Sequence, residues 1–88
     1  MQAERSPFGF RLVVAPATGR LRLLPPRRFE RGVEIVEAGQ ALAHVELNGR
    51  QTVVRAPVGG RVSAVLGLEG EPVTMGTPVL TIEPEEER

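Results

Sequence analysis

Very little in this sequence can do covalent chemistry. His44 is the single histidine, Ser6 and Ser63 are the only serines, and cysteine, tyrosine, tryptophan, lysine and aspartate do not occur in the 88 residues. A nucleophile needs a base within hydrogen-bond reach and a third group to orient that base. Neither serine stands in such a set, and no glutamate pair is singled out by its spacing, so the sequence predicts no enzyme. His44 has neither Cys nor Asp to complete a metal site, and reads as a surface or half-buried side chain on a strand. Eleven arginines and eleven glutamates supply all the charge and cancel. The lack of lysine leaves the α-amino group of Met1 as the only amine.

Two short stretches could instead recognise a partner. In "VELNGRQTVVRAP", two strand-like runs meet at Asn48-Gly49, the preferred pair of a two-residue type I′ hairpin. The turn is either bare, or a recognised tip to which Glu46 and Arg50 add polar contacts. In "PPRRFERG" (25–32), Arg27, Arg28 and Arg31 stand near Phe29, and arginine beside an aromatic side chain suits a protein interface. The alternative is a solvated loop with Phe29 tucked over the core. RNA is disfavoured by the zero net charge and the 3% aromatic content.

The elements that must carry these stretches repeat. "VAPATGRL" (14–21) returns as "RAPVGGRV" (55–62), and "VEAGQALAHVE" (36–46) returns as "VTMGTPVLTIE" (73–83). Ala15 to Ala56 is a shift of 41 residues and Gly39 to Gly76 one of 37, so the first half is four residues longer, around "LLPPRRFERG". Short alternating or β-branched runs, cut by ten glycines and eight prolines, predict about eight strands and leave no window for an ordinary helix. Each half is too small to bury its own apolar face. The two are therefore expected to clasp around one core with approximate two-fold symmetry, joined by the Asn48-Gly49 hairpin. Phe8 and Phe10 straddle Gly9, one of them a candidate cap for the open end of that core.

A chain of this size has room for a single modest core, and without cysteine it fits a reducing compartment. "MQAERSPFGF" has no basic and apolar leader pattern, and no apolar run approaches the roughly 18 residues of a membrane span. The expectation is a cytoplasmic protein without membrane or nucleic-acid partners. "MQAERSP" and "EPEEER" read as short flexible termini around a core of about 10–84.

From Val13 to about Glu83 the pattern resembles the biotinyl and lipoyl attachment domains: "AP..G", then "G..L..VE", a hairpin, then "RAP..G.V" and "G..V..I". The resemblance implies an all-β barrel-sandwich hybrid, a flattened barrel of two quasi-symmetric halves, spanning 1–88 as a single domain. It also implies that the hairpin between the halves carries the modified lysine, with the loop of residues 25–32 beside it. Aligning Glu46 and "RAP" puts that lysine at Gly49, flanked by Asn48 and Arg50. Biotin and lipoate are joined to their carriers through an amide to a lysine amine, so neither cofactor is expected here. The chain is read as a pseudo-carrier whose partner surface comprises Glu46, Asn48, Gly49, Arg50, Arg27, Arg28, Phe29 and Arg31. Its expected partner is a protein, a carboxylase or acyltransferase subunit, with homo-oligomers also open. The alternative is a stand-alone structural or self-assembling domain, or a fragment related to the lipoyl-like domains of efflux adaptors.

Overall fold

The computed structural model describes residues 9–85. Phe8, Ser6, the Met1 amine, the stretch 1–7 and residues 86–88 lie outside the described residues. Glu83 and Pro84, read as part of the flexible C-terminal end, instead pair with Arg61 and Gly60 in the last strand. The chain forms nine strands: β1 (Arg11–Val14), β2 (Gly19–Leu23), β3 (Phe29–Glu30), β4 (Val33–Val36), β5 (Ala41–Leu47), β6 (Arg50–Arg55), β7 (Gly60–Val65), β8 (Pro72–Val73) and β9 (Pro78–Pro84). They build two antiparallel sheets, ordered β1-β9-β7-β4-β3 and β6-β5-β2-β8. No helix occurs among the described residues, and none is long and apolar enough to cross a membrane. This is the flattened all-β barrel that the resemblance implies.

Alternation along the strands fills the space between the sheets. Leu21, Val36, Val45, Val79 and Ile82 are fully buried, with Val13, Ala43 and Val54 closing around them. Burying side chains of this size stabilises by roughly 1.5–3 kcal/mol each relative to exposure. Leu42 in β5 and Val79 in β9 are paired positions of the repeat, and each is an extra residue inserted against its partner strand. Such a bulge lets two successive side chains turn the same way. Leu42 and Ala43, like Val79 and Leu80, are accordingly all buried.

The halves hold each other through one repeated set of backbone bonds. Gly39 N–H donates to the Ala56 carbonyl and Gly76 N–H to the Ala15 carbonyl, both at 2.8 Å. In return Ala56 N–H donates to Gln40 and Ala15 N–H to Thr77, at 2.9 and 2.8 Å. The two Ala-Pro elements are thus where each half is stapled to the other. Both alanines are buried, at 3% and 0% exposure, and a larger side chain there would meet the core. The glycines that follow serve a closer approach. A Cβ at Gly19 would stand 2.5 Å from the Glu46 carbonyl oxygen, and one at Gly60 would run into the carbonyl of Glu83.

Three short strands escape the sequence pattern: β3, β4 and β8. The stretch 25–32 is not wholly loop, because Phe29 and Glu30 pair with Glu34 and Val33 around an Arg31-Gly32 turn. Phe29 is not tucked over the core either, being 59% exposed.

Candidate functional site

At the hairpin between β5 and β6, Leu47 faces Arg50 and only Asn48 and Gly49 lie between them. Their φ angles are +52° and +80°, the left-handed pair that a type I′ turn demands and that Asn and Gly adopt most readily. A two-residue turn of this hand follows the right-handed twist of its strands, so the tip is set by the ladder beneath it. Asn48, Gly49 and Arg50 are all exposed, and a Cβ built at Gly49 meets nothing within 4 Å. The position that the resemblance gives to the attachment lysine is therefore open to solvent.

Below the tip, the outer face of β2 and β5 is charged. Arg22 bridges Glu46 at 3.3 Å and Glu69 at 3.2 Å. The bonds to Glu69 and then to Glu46 hold the guanidinium above its ordinary pKa. Glu69 also accepts the Leu23 N–H at 2.7 Å, and this bond, ahead of Arg22, holds its carboxyl below the ordinary value. Arg20 donates to the Gly70 carbonyl at 2.7 Å. Side chains of the β7–β8 segment and of β2 are thereby tied together under the hairpin.

Beside the tip lies an open groove of about 490 Å³, lined by Thr18, Gly19, Arg20, Glu46, Leu47 and Asn48 on one side and Pro72, Val73 and Thr74 on the other. A second groove, of about 360 Å³, gathers Arg27 and Arg28 with Ile35 and the turn at 37–40. Arg28 pairs there with Glu30 and, at 4.0 Å, with Glu37. The predicted partner residues thus divide. Glu46 and Asn48 share the hairpin groove, with Gly49 and Arg50 following at its tip. Arg27 and Arg28 belong to the other groove, and neither Phe29 nor Arg31 lines either one. The single patch expected from the resemblance is two concavities. Arg20, Thr18 and the β8 residues were missed. The signal for Arg20 was its place in the repeat opposite Arg61, and for β8 it was Val73, which opens the second repeat block opposite Val36.

His44 and Ser63 lie elsewhere. His44 is half-buried on β5, between Arg22 and Val53 of the neighbouring strands. The Ser63 hydroxyl lies 2.7 Å from that of Thr81, so its partner is another alcohol and not a base. Among the described residues no three His, Cys, Asp or Glu side chains gather as metal ligands would.

Residues 29–82, well over half of the chain, match the biotin/lipoyl family model, described as biotin-requiring enzyme. A solved structure of a single-chain, multi-domain long-chain acyl-CoA carboxylase is similar over 98% of this chain, with 26% identity and a TM-score of 0.75. The chain spans only 8% of the length of that carboxylase. No curated protein matches the sequence. The family match covers β3 to β9, including the hairpin and both of its flanking strands, and the chain belongs to the biotin/lipoyl domain family.

Proposed function

We propose that this domain, residues 1–88 acting as one unit, is a non-catalytic carrier-fold module that docks in a biotin-dependent carboxylase or related acyl-transfer complex without carrying the cofactor. The observation that carries the reading is the tip itself: Asn48, Gly49 and Arg50 stand where the family places its lysine, in a chain that contains no lysine. An amide to biotin or lipoate needs an amine that no side chain supplies. What the scaffold keeps is the shape by which carrier domains are recognised, together with the polar surface around Glu46, Asn48 and Arg50 and the exposed segment of Arg27, Arg28, Phe29 and Arg31. Similarity to part of a multi-domain acyl-CoA carboxylase supports a carboxylase subunit as the partner. Bound at a carrier's docking position, such a module would scaffold the complex or tune it by occupying that position. Its place of action is the cytoplasm.

The test is capture from the native host's lysate with a tagged domain, read by mass spectrometry, beside the double variant Arg28→Glu, Arg50→Glu. Recovery of a biotin- or lipoate-dependent enzyme subunit by the wild type, lost in the variant, is the expected result. Recovery of the domain alone would overturn the reading in favour of a self-assembling structural domain, and light scattering would then show an oligomer.

A further inference from the structure

The two ends of the barrel repeat each other in sequence but not in cover. The positions that answer Pro72, Thr74 and Asn48 are Ile35, Glu37 and Glu85, and Arg28 meets the first two. Its carbonyl accepts the Ile35 N–H at 3.0 Å, and its guanidinium lies 4.0 Å from Glu37. That guanidinium is held charged by Glu30 first, with smaller contributions from Glu37 and Glu85. Arg28 belongs to the segment that makes the first half four residues longer. The second half has only residues 66–71 in that place, and Pro72, where the first half has Ile35, carries no N–H that a covering segment would have to satisfy. The groove beside the hairpin is the counterpart of the Arg27 and Arg28 groove without the segment that walls it.

Its cation is also uncompensated. Arg61 gives its guanidinium to Glu83 at 2.7 Å. Arg20, the counterpart, gives one N–H to the Gly70 carbonyl, because Glu46 has turned to Arg22. Among the described residues no carboxylate pairs with Arg20, and a guanidinium offers five N–H groups. Next to it Leu47 is 49% exposed, and Pro72 adds a second apolar surface.

We propose that the hairpin-side groove is a docking site for an extended acidic segment of a protein partner, which sets a carboxylate on Arg20 and an aliphatic side chain against Leu47 and Pro72. Arg20 meets the ligand's carboxylate, while Glu46 of the same groove is engaged by Arg22. Leu47 and Pro72 fix its apolar contact, and the Thr18 hydroxyl and Asn48 amide supply hydrogen bonds to its backbone. The inference rests on the docking role proposed above and specifies which face of the module is used and the chemistry of what it meets.

The probes are two synthetic peptides, Ac-Leu-Glu-Pro-Glu-Glu-Glu and its glutamine analogue Ac-Leu-Gln-Pro-Gln-Gln-Gln, titrated into the whole chain by fluorescence polarisation. The acidic peptide is expected to bind, the neutral one to bind about fivefold more weakly or worse, and Arg20→Gln to cost about fivefold. Arg61→Gln, the counterpart of Arg20 at the other end of the barrel, should leave affinity within about twofold. Amide shifts in a two-dimensional NMR titration should centre on Thr18, Arg20, Leu47 and Asn48. Equal binding of both peptides, shifts centred on residues 27–40, or saturable binding by neither would overturn the proposal. Peptide binding at the groove without capture of a carboxylase subunit would leave the site standing and remove the carboxylase role. Capture that survives Arg20→Gln would do the reverse.

Discussion

Glu46 and Glu83 hold the same place in the two halves, each just after the strand residues that face the core, yet they serve different ends of the barrel. At the Glu83 end the chain runs on through Pro84 to Glu85, whose N–H donates to the Gly59 carbonyl at 3.2 Å, and Arg61 pairs directly with the Glu83 carboxylate. At the Glu46 end the chain turns back after Leu47, so Glu46 is drawn to Arg22 and Arg20 is left with a carbonyl. The core and the cross-half backbone bonds keep the two-fold symmetry; the surface charges and the loop lengths break it. The difference separates what packing between the halves fixes from what the surface leaves open. Positions that staple the halves are constrained in pairs, whereas the hairpin end is free to differ.

The symmetric part of the comparison is the most costly to break. Gly19→Ala and Gly60→Ala each force a methyl group against the backbone carbonyl of a strand that cannot retreat, and each should lower stability by about 2–3 kcal/mol. Urea unfolding of both variants checks this. Nearly equal losses are expected, and a harmless substitution at one of the two would mean that the halves do not share their packing.

Gly49→Lys sharpens the asymmetric part. The side chain has room, since nothing lies near a Cβ there, but the residue must hold φ of +80°, which costs an L-residue about 1–2 kcal/mol. The variant should stay folded and become a substrate for a biotin ligase, detected by streptavidin blotting, with Met at positions 48 and 50 improving the yield. A folded variant that is never labelled would show that the tip differs from a carrier's by more than one residue.

Beneath these lies a pair of matched side-chain bonds. Gln40 Oε1 accepts the Glu37 N–H, and Thr77 Oγ1 accepts the Thr74 N–H, both at 3.0 Å, in corresponding turns. Gln40→Ala and Thr77→Ala should each cost about 1 kcal/mol, measured by the same unfolding experiment. A larger loss at Gln40 would mean that its turn also supports the neighbouring Arg27 and Arg28 groove.

Legibility in the sequence followed the same division. The β5–β6 hairpin was readable because Asn48-Gly49 names its own turn, and the clasp was readable because Ala15-Pro16 and Ala56-Pro57 are spelled alike. The β3–β4 hairpin was not, because its turn places Arg31 at φ of +54°, where local sequence gives no warning. The exchange of bonds between Gly39 and Ala56 and between Gly76 and Ala15 is long-range, so the repeat located its partners without showing that each loop serves the opposite half. At the candidate site, Glu46 and Asn48 were found as neighbours in sequence. Arg20 and Pro72 reach the groove only through the pairing of β2 with β5 and β8, which no local pattern encodes.

The smallest effects separate two carboxylates by the sign of their pH dependence. Glu69, under the hairpin, is held below its ordinary value by the Leu23 N–H and then by Arg22. Its contribution is present above the unfolded value, near 4.5, and is lost as pH falls through the lower folded value. Glu34, in the hairpin of the longer half, is raised by burial alone. Its charged form weakens the fold fully above the raised folded value, and that penalty vanishes below about 4.5. Glu69→Gln should therefore be less stable than the wild type near neutral pH, with the gap closing in acid, and Glu34→Gln more stable, with its advantage closing over the same descent. Urea midpoints taken from about pH 7 to about pH 3 read both. Curves that run the same way would place the two carboxylates in one kind of environment, and the contrast between a side chain bonded across the sheet edge and one merely covered by its own hairpin would fail.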